Sequence, residues 1–307
     1  MKRSVGIIGL GAVGTSIAIA ILHSGVADQL FLCDRNSDLA EGETMDLIHG
    51  ASFYSTVAIK MTSIDEMKSA DVIVVAAGRP GNATESRLDL LKDNSNIIHD
   101  IGTHLTNYKG VIVLVTNPVD VLTKVMVEAS GLPASRVIGT GTMLDTARLK
   151  QSIGDTLKID PHSVHAQVIG EHGDSEVILW SSVRIGGLSL DNLPHWSWDF
   201  REKIDHDVRY AAYKIIEKKG VSNHAVGFVA ANLLKCIIRD ERRILTVSHV
   251  QTDINELKDI SLSLPTVVGA KGVLEVLVPS MSAIEKESLM HSARILTAAS
   301  EQLKEVI

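Results

Sequence analysis

The sequence predicts an α/β protein in which a doubly wound parallel sheet is followed by a second domain of α+β type. Over the first 140 residues, short runs of β-branched and aliphatic residues alternate with helical stretches, as in strands joined by crossover helices. Beyond residue 140 this alternation stops, and longer helices stand between longer strand candidates. We therefore predict one domain over residues 1–140 and another over residues 141–307, with the boundary in the glycine-bearing segment 139–141.

The apolar runs of the first domain are short, which is typical of strands that are buried on both faces of a sheet. Strands are predicted over residues 4–8, 29–33, 57–61, 72–76, 111–115 and 136–138. Helices are predicted over residues 13–24, 39–49, 87–105 and 119–130. Strands and helices that alternate in this way predict a parallel sheet with helices on both faces.

The second half is predicted to contain helices over residues 144–157, 200–218, 225–236 and 283–303. Strands are predicted over residues 244–250, 260–268 and 273–278, where the alternation of polar and apolar residues is weak. This separation of helices from strands is typical of an α+β unit.

Composition excludes several classes of protein. The two cysteines, Cys33 and Cys236, stand far apart, so neither a disulfide framework nor a thiolate metal site is expected, and a reducing cytoplasm is the simplest setting. The histidines show no metal-ligand spacing, so no metal is expected. The net charge of −7, from 37 acidic and 30 basic residues, argues against a nucleic-acid partner.

The N-terminus has some features of a secretory signal, because a basic start precedes an apolar stretch that ends at Leu22. The stretch, however, carries four glycines at the spacing of a strand–turn–helix unit and lacks a convincing processing site. No other segment approaches the roughly 18 apolar residues of a membrane-spanning helix, so no membrane partner is expected.

A Gly-x-Gly-x-x-Gly motif connects the first predicted strand to the first predicted helix, and Asp34 follows 20 residues after its last glycine. In this context the motif indicates a dinucleotide site. Gly9 permits the tight turn, Gly11 lets the backbone approach a pyrophosphate, and Gly14 lets the helix pack closely on the sheet. The start of the helix, at Ala12 and Val13, offers unpaired N–H groups to the phosphates.

Asp34 also indicates which dinucleotide binds. Its carboxylate can accept hydrogen bonds from the ribose hydroxyls and would repel a 2′-phosphate, so NAD is favoured over NADP. Arg35 is the one neighbour that would favour NADP. The alternative, in which the glycines only form turns and Asp34 is a solvated acid, requires the strand, the spacing and the acid to coincide by chance.

Four segments together resemble the lactate/malate dehydrogenase family. They are the glycine motif at 9–14, Asn-Pro-Val-Asp at 117–120, residues 139–148 with Gly-Thr-Gly and Leu-Asp-Thr-Ala-Arg, and Gly-Glu-His-Gly-Asp at 170–174. The resemblance extends from about residue 5 to the C-terminal helix. It implies hydride transfer between NAD and a small L-2-hydroxy acid, with lactate and pyruvate as the leading pair. It also implies a homo-oligomer, either a dimer or a tetramer.

Such a reaction removes a proton from the substrate hydroxyl, which needs a base with a pKa of about 7 and a carboxylate that orients this base. His172 lies between glycines, on a turn after a strand predicted over residues 164–169, where a side chain can project into a cleft, and the resemblance pairs it with Asp145. Arg148 stands three residues after Asp145, on the same predicted helix face, and would bind the substrate carboxylate through its planar fork. His172 competes with eleven other histidines, so its assignment depends on its context and on the resemblance.

The segment 78–87 has the composition of a mobile loop at the end of a strand, where open sheets bind ligands. The resemblance implies that this loop closes over the substrate, that Arg87 polarises the substrate carbonyl, and that Asn117 contacts the same oxygen. It also implies a cis bond between Asn117 and Pro118. Ala77, Gly78 and Asn117 are assigned to the cofactor site as well. The alternative is a plain surface loop.

Substrate choice is where the chain departs from the family. The family position that faces the substrate side chain carries glutamine in lactate-type members and arginine in malate-type members, but here it is Gly81. Because glycine offers no cation to a second carboxylate, malate and oxaloacetate are disfavoured. Glycine also leaves room for substrates with bulkier side chains, as in an L-2-hydroxyisocaproate-type dehydrogenase. Ser222 matches another residue that lines this pocket. We expect activity on pyruvate, with comparable or better use of bulkier 2-oxo acids.

Two further alternatives concern regulation and class. Similar bacterial enzymes bind fructose 1,6-bisphosphate through a basic helix residue and a histidine, and the matching positions hold Lys150 and His165. The resemblance therefore leaves activation by this effector open. In the alternative, Lys150 is only a solvated helix charge and His165 a half-buried strand residue. A non-catalytic NAD-binding homologue is the rival from another class, but it would not need His172, Asp145, Arg148 and Arg87 together.

Overall fold

The structure, a computed structural model, describes residues 2–79 and 87–304. Within these ranges the strands are β1 (Ser4–Ile8), β2 (Gln29–Cys33), β3 (Ala58–Met61), β4 (Val72–Val75), β5 (Val111–Leu114), β6 (Val137–Gly139), β7 (Val164–His165), β8 (Val168–Ile169), β9 (Val177–Ile178), β10 (Arg184–Ile185), β11 (Leu188–Ser189), β12 (Arg243–Val250), β13 (Ser261–Gly269) and β14 (Gly272–Val276). The α-helices are α1 (Ala12–Ser24), α2 (Ser37–His49), α3 (Ile64–Met67), α4 (Arg87–His104), α5 (Val119–Ser130), α6 (Met143–Leu157), α7 (Phe200–Arg209), α8 (Ala211–Lys219), α9 (His224–Ile238) and α10 (Ala283–Lys304).

Nine of these strands form one sheet, in the order β14-β13-β12-β6-β5-β4-β1-β2-β3. The six strands β1 to β6 pair in the parallel direction, as predicted. The order reverses at β1, which pairs with β2 on one side and with β4 on the other. In a doubly wound sheet, ligands bind at this reversal, outside the carboxyl ends of the strands. The glycine motif that follows β1 therefore lies where a dinucleotide site is expected.

The three long strands of the second half continue this sheet in the antiparallel direction. The link is made by β12, which pairs with β6 at Ser248 and Gly139, while β13 and β14 follow beyond it. A sheet that extends across residue 140 holds the two halves of the chain together through backbone hydrogen bonds.

Two details of the second half differ from the prediction. The helix predicted over residues 200–218 is in fact two helices, α7 and α8, because Tyr210 leaves helical geometry (φ −97°, ψ 7°). The strand predicted over residues 164–169 is in fact two strands of two residues each, β7 and β8, and the equally short strands β9, β10 and β11 were not predicted, since two residues carry no periodicity.

Apolar side chains are buried on both faces of the sheet and in a third cluster of the second half. Ile98 and Leu122 pack on one face, and Ile17 and Leu234 on the other. The third cluster joins α6 to α7 around Trp180. Each such side chain, fully buried, contributes about 1.5–3 kcal/mol, so the elements that carry the site have firm support. In the described ranges, no helix combines the length and apolar character needed to cross a membrane.

Candidate active site

Three of the predicted residues form one hydrogen-bonded chain. His172 Nδ1 lies 2.5 Å from Asp145 Oδ2, and Arg148 Nη1 donates to Asp145 Oδ1 at 2.9 Å. Asp145 is only 2% exposed, while His172 and Arg148 are half-buried at the edge of the site. One buried carboxylate therefore orients both an imidazole and a guanidinium.

Helix α6 explains why Asp145 and Arg148 lie together. Asp145 stands in the first turn, where the positive end of the helix dipole favours a carboxylate. Arg148 comes three residues later and so projects from the same face.

Two threonines fix α6 against the strand that leads to His172. Thr142 Oγ1 donates to the carbonyl of Val168 at 2.5 Å, and the Val168 N–H donates to Thr146 Oγ1 at 3.0 Å. Because β8 ends one residue after Val168, these bonds set the distance between the helix and the histidine. The sequence motifs contained both threonines, but spacing alone did not predict their partners.

A second buried acid holds the backbone of His172. Asp120, in the first turn of α5, accepts the His172 N–H with Oδ2 at 2.7 Å and is 2% exposed. It belongs to the Asn-Pro-Val-Asp segment, yet sequence reasoning assigned it no role. The segment marked the residue, but only the structure brings it to His172.

Burial and charge act against each other in this group. Burial would lower the pKa of His172, but the charge of Asp145 and the hydrogen bond to it raise that pKa above its usual range. Burial would raise the pKa of Asp145, but His172 and Arg148 hold it below its usual value. Burial raises the pKa of Asp120 to about 6. At neutral pH the pair is therefore an imidazolium beside a carboxylate, and the imidazolium can donate a proton.

The glycine motif has the geometry that a dinucleotide requires. Gly9 has a φ of +95°, and a Cβ on Gly14 would lie 1.8 Å from the carbonyl oxygen of Gly9. Around Gly11, by contrast, a Cβ would meet nothing within 4 Å, so the backbone is open to a ligand. Helix α1 begins at Ala12, and no side chain caps it, so its first N–H groups can bind phosphate.

Asp34 lies directly after β2, beside this turn. Its Oδ2 accepts the Leu10 N–H at 2.7 Å and its Oδ1 accepts the Asn36 N–H at 2.9 Å. Each carboxylate oxygen has a further lone pair for a ribose hydroxyl. Asp34 thus stabilises the glycine turn and presents the acceptors expected of an adenosine site, so these residues fit NAD.

Ala77, Gly78 and Asn117 lie at the carboxyl ends of β4 and β5, next to the reversal of strand order. Asn94, from α4, connects these ends: it accepts the Arg79 N–H at 2.9 Å and donates to the Asn117 carbonyl at 2.9 Å. A Cβ on Gly78 would lie 2.4 Å from the Thr116 side chain, so only glycine fits there. Asn94 was not predicted, because an asparagine inside a helix pattern gives no signal.

Matches to known families cover both halves of the chain. Residues 3–139 match the family described as lactate/malate dehydrogenase, NAD binding domain. Residues 142–307 match the family described as lactate/malate dehydrogenase, alpha/beta C-terminal domain. The chain belongs to the lactate/malate dehydrogenase family.

Similar proteins in this family include L-lactate dehydrogenases of known sequence and structure. That of Kosmotoga olearia is 43% identical over 98% of this chain and 96% of its own length. That of Thermus aquaticus is 39% identical over 97% and 99% of the two chains. A crystal structure of the minor L-lactate dehydrogenase from Enterococcus mundtii superposes with a TM-score of 0.94 at 36% identity, covering 98% of each chain. The predicted fold class and the predicted family are confirmed.

Two residues that the family resemblance placed in the substrate loop lie wholly or partly outside the part of the chain that the structure describes. Gly81 lies outside the described residues, and Arg87 begins α4 with its side chain outside the described part. The cis bond expected between Asn117 and Pro118 is present.

Ser222 precedes α9, in a segment that contacts the start of α1. The neighbouring Asn223 donates to the Ala12 carbonyl at 3.3 Å and to Ser16 Oγ at 2.9 Å. These bonds hold the segment beside the start of α1. Ser222 itself is half-buried.

Lys150 and His165, the two residues matched to an effector site, lie away from the catalytic group. Lys150 stands two residues after Arg148 on α6, which turns it about 200° around the helix axis, to the opposite side. Burial and the charge of Arg243 lower the pKa of Lys150. His165 is exposed on β7, where it pairs with Arg184 of β10. In the described ranges, no three His, Cys, Asp or Glu side chains form a metal-ligand set.

Proposed function

We propose that the protein is an NAD-dependent L-lactate dehydrogenase, which interconverts pyruvate and NADH with L-lactate and NAD. The observation that carries this proposal is the hydrogen-bonded chain of His172, Asp145 and Arg148. It joins a group that can donate or accept a proton to a carboxylate-binding cation, as the interconversion of a 2-oxo acid and a 2-hydroxy acid requires. A non-catalytic NAD-binding protein would have no need of this buried charge arrangement.

His172 moves the proton in the proposed reaction. Its Nδ1 is engaged by Asp145, so Nε2 is the atom that faces a substrate oxygen. In the reduction direction His172 starts as an imidazolium and gives its proton to the forming hydroxyl group. In the oxidation direction the neutral ring takes the hydroxyl proton, and Asp145 stabilises the charge that results. When bound, the nicotinamide supplies or accepts the hydride.

Arg148 binds and orients the substrate. One of its N–H donors is used by Asp145, and the remaining donors can hold the substrate carboxylate as a planar fork. The same contact with Asp145 fixes the guanidinium relative to His172, so the reacting carbon and the proton donor share one frame. We propose that Arg87 polarises the carbonyl and that Asn117 contacts the same oxygen.

The cofactor is NAD. Gly9, Gly11 and Gly14 would accommodate its pyrophosphate, with the N–H groups at Ala12 and Val13. Asp34 would accept its ribose hydroxyls, and a 2′-phosphate would meet this carboxylate, which favours NAD over NADP. Ala77 and Gly78 would border the nicotinamide half, at the end of β4.

Substrate preference, regulation and assembly are finer parts of the proposal. With Gly81 and Ser222 in the side-chain pocket, we propose that pyruvate is used and that bulkier 2-oxo acids are tolerated, while oxaloacetate is disfavoured. Lys150 and His165 would bind fructose 1,6-bisphosphate, if this effector acts here. We also propose a homo-oligomer in the cytoplasm, as a dimer or a tetramer. The two family matches, which meet between residues 139 and 142, support the proposed division of the chain into domains near residue 140.

Steady-state kinetics with NADH test the proposal. Pyruvate, oxaloacetate and 2-oxo-4-methylpentanoate are compared by kcat/KM, each with and without fructose 1,6-bisphosphate. We expect kcat/KM to be higher for pyruvate and for the branched acid than for oxaloacetate, and a preference for oxaloacetate would contradict the substrate assignment.

His172→Asn should abolish turnover while NADH still binds, as measured by cofactor fluorescence. Normal turnover in this variant would contradict the catalytic assignment.

A further inference from the structure

Glu176 is a buried acid that the proposed mechanism does not use. It ends the loop 170–176, which carries His172. Glu176 is 5% exposed, and its Oε1 has no hydrogen-bond partner in the described part of the chain. Its backbone closes the loop, since its N–H donates to the Gly173 carbonyl at 3.1 Å and its carbonyl accepts from Arg209 at 3.4 Å. A buried carboxyl oxygen without a partner is costly, so a purely structural role would leave it unexplained.

Charged groups from α6, α7 and the loop itself act on Glu176. Asp145 and Arg148 face it from α6, His172 from the loop, and Arg209 from α7. A cleft of about 610 Å³ lies on its outer side, where the further charged residues are Glu171, Asp174, Glu287, His291 and Arg294. Of these groups, Asp145, Arg148 and His172 are the ones that take part in the proposed reaction.

His172 is thus surrounded by more negative than positive groups. Asp120 holds its N–H, Asp145 holds its ring, and Glu176 adds a third buried carboxyl group, against the positive charges of Arg148 and Arg209. Each negative charge near an imidazole favours its protonated form, and burial strengthens the effect. The ionisation of Glu176 therefore bears on the proton of His172.

We infer that Glu176 is a positioning residue of the reaction, which acts through its charge on His172 and Asp145 and extends the pH range over which His172 keeps its proton. The inference rests on the proposed dehydrogenase function. It differs from the role of Asp145, because Glu176 makes no hydrogen bond to the ring in the described structure.

The titration of Glu176 falls in a range where it can have this effect. Burial, with the repulsion of Asp145, raises the pKa of its carboxyl group to about 8, although Arg209 and His172 act in the opposite direction. Above this pH the carboxylate adds a negative charge near the imidazolium just as that group begins to lose its proton. The loss of the proton is then displaced to higher pH.

Substitution of Glu176→Gln removes the charge and keeps the shape. The alkaline midpoint of kcat/KM for pyruvate should fall by about 0.5–1 pH unit, the size expected of one nearby charge beyond direct contact. In the oxidation of L-lactate, which needs neutral His172, activity should appear at lower pH by a similar shift. A merely structural glutamate would lower activity by the same factor at every pH.

The matched control is Glu287→Gln, which removes the same charge from the same cleft. Glu287 is exposed on α10, so solvent screens it, and both midpoints should stay within about 0.2 pH unit of wild type. An equal shift in the two variants would overturn the inference, because it would reflect net charge alone.

A second measurement uses the enzyme without cofactor or substrate. The rate at which diethyl pyrocarbonate modifies His172, followed by peptide mass mapping against pH, should show the same downward shift in Glu176→Gln. If wild type reduces pyruvate but neither midpoint moves in the variant, the inference is wrong. If wild type reduces no 2-oxo acid, the proposed function fails, while the modification midpoint still tests the influence of Glu176 on His172.

Folding of the variant is checked by tryptophan fluorescence, since Trp180, Trp196 and Trp198 form one aromatic cluster near this region. Should Glu176→Gln fail to fold, Glu176→Met replaces it, because an apolar side chain of similar volume needs no hydrogen-bond partner. The same downward shift is expected, and unchanged midpoints in Glu176→Met would overturn the inference.

Discussion

Three buried carboxyl groups act on His172, and they differ in their hydrogen bonds. Asp145 binds the ring, Asp120 binds the backbone N–H, and Asp120 Oδ1 and Glu176 Oε1 have no partner in the described structure. Only Asp145 also binds a cation directly, through Arg148. The residue proposed to bind the substrate carboxylate, Arg148, and the residue proposed to move the proton, His172, are therefore connected through a single buried carboxylate.

This connection makes Arg148 specific at the residue scale. Arg148→Lys keeps the charge but loses the planar fork, so one of the two contacts, to Asp145 or to the substrate, must weaken. A charged hydrogen bond contributes about 1.5–3 kcal/mol, so kcat/KM for pyruvate should fall by about 10- to 100-fold, mainly through KM.

Steady-state kinetics measure this change, with Arg242→Lys as the control. The Arg242 side chain is 70% exposed and pairs with Asp240 away from the catalytic group, so its substitution should leave kcat/KM unchanged. Wild-type kinetics in Arg148→Lys would mean that a point charge suffices, and that the fork plays no part in binding.

At the scale of elements, two helices hold the loop 170–176, which carries His172. Helix α6 is tied to β8 through Thr142 and Thr146. Helix α10 reaches the loop through Ser292, whose Oγ accepts the Glu171 N–H at 2.7 Å and a hydrogen bond from Ser175 Oγ at 3.2 Å. Because Glu171 precedes His172, Ser292 restrains the loop at the point where the histidine projects.

Ser292→Ala should therefore weaken both stability and catalysis. Ser292 is fully buried, and its loss leaves the Glu171 N–H without an acceptor, at a cost of about 1–3 kcal/mol of unfolding free energy. A loop that is less well held places His172 less accurately, so kcat should fall, by up to about 100-fold if the shift approaches 1 Å.

The control for this prediction lies on the same helix. Ser300 is half-buried, and its Oγ donates only to the Leu296 carbonyl one turn earlier, so Ser300→Ala should change neither quantity. Urea unfolding followed by tryptophan fluorescence measures stability, and pyruvate turnover measures kcat. Equal effects in the two variants would show that α10 does not act through Ser292.

How far the sequence predicted these elements depends on how local their signals are. The parallel strands β1 to β6 were predicted almost to the residue, because each carries its own apolar run between turn signals. The sequence singled out His172, Asp145 and Arg148, which the structure brings together, because they stand in compact motifs. Contacts across long separations were not, as with Asp120, which lies 52 residues before His172, and Ser292, which lies 121 residues after Glu171.

The same limit applies at the scale of the whole molecule. The strands β12 to β14 were predicted as strands, but not as an extension of the first sheet, because that depends on the pairing of Ser248 with Gly139. Glycine at position 139 allows this approach: a Cβ there would lie 2.5 Å from Thr123 Oγ1 and 3.1 Å from the Ser248 Cβ. No periodicity in either segment carries that information.

The joined sheet also buries a histidine that makes the whole molecule sensitive to acid. His249, on β12, is 3% exposed, and burial lowers its pKa to about 4, although the Val250 carbonyl and Asp253 partly oppose this. In the unfolded chain its pKa is about 6.5. Between these values the unfolded state binds a proton that the folded state does not, so stability falls as the pH falls from about 6.5 towards 4.

His249→Phe should remove this dependence. Between pH 7.5 and 5, His249 lowers the free energy of unfolding by about 2 kcal/mol, and phenylalanine cannot take up a proton. The substitution deprives Gln251 of one neighbour only, since Gln251 Nε2 keeps the His249 and Leu262 carbonyls at 3.1 and 3.2 Å. The variant should therefore resemble wild type at pH 7.5 and exceed it in stability at pH 5.

The measurement is urea unfolding of both proteins at the two pH values and at one protein concentration, because assembly makes apparent stability depend on concentration. The difference between the proteins isolates His249 from the buried acids Asp120 and Glu176, which titrate in both and whose raised pKa values destabilise the fold as the pH rises. Exposed His162, changed to Phe, is the control and should follow wild type at both values. If His249→Phe loses as much stability on acidification as wild type does, the acid sensitivity lies elsewhere in the molecule.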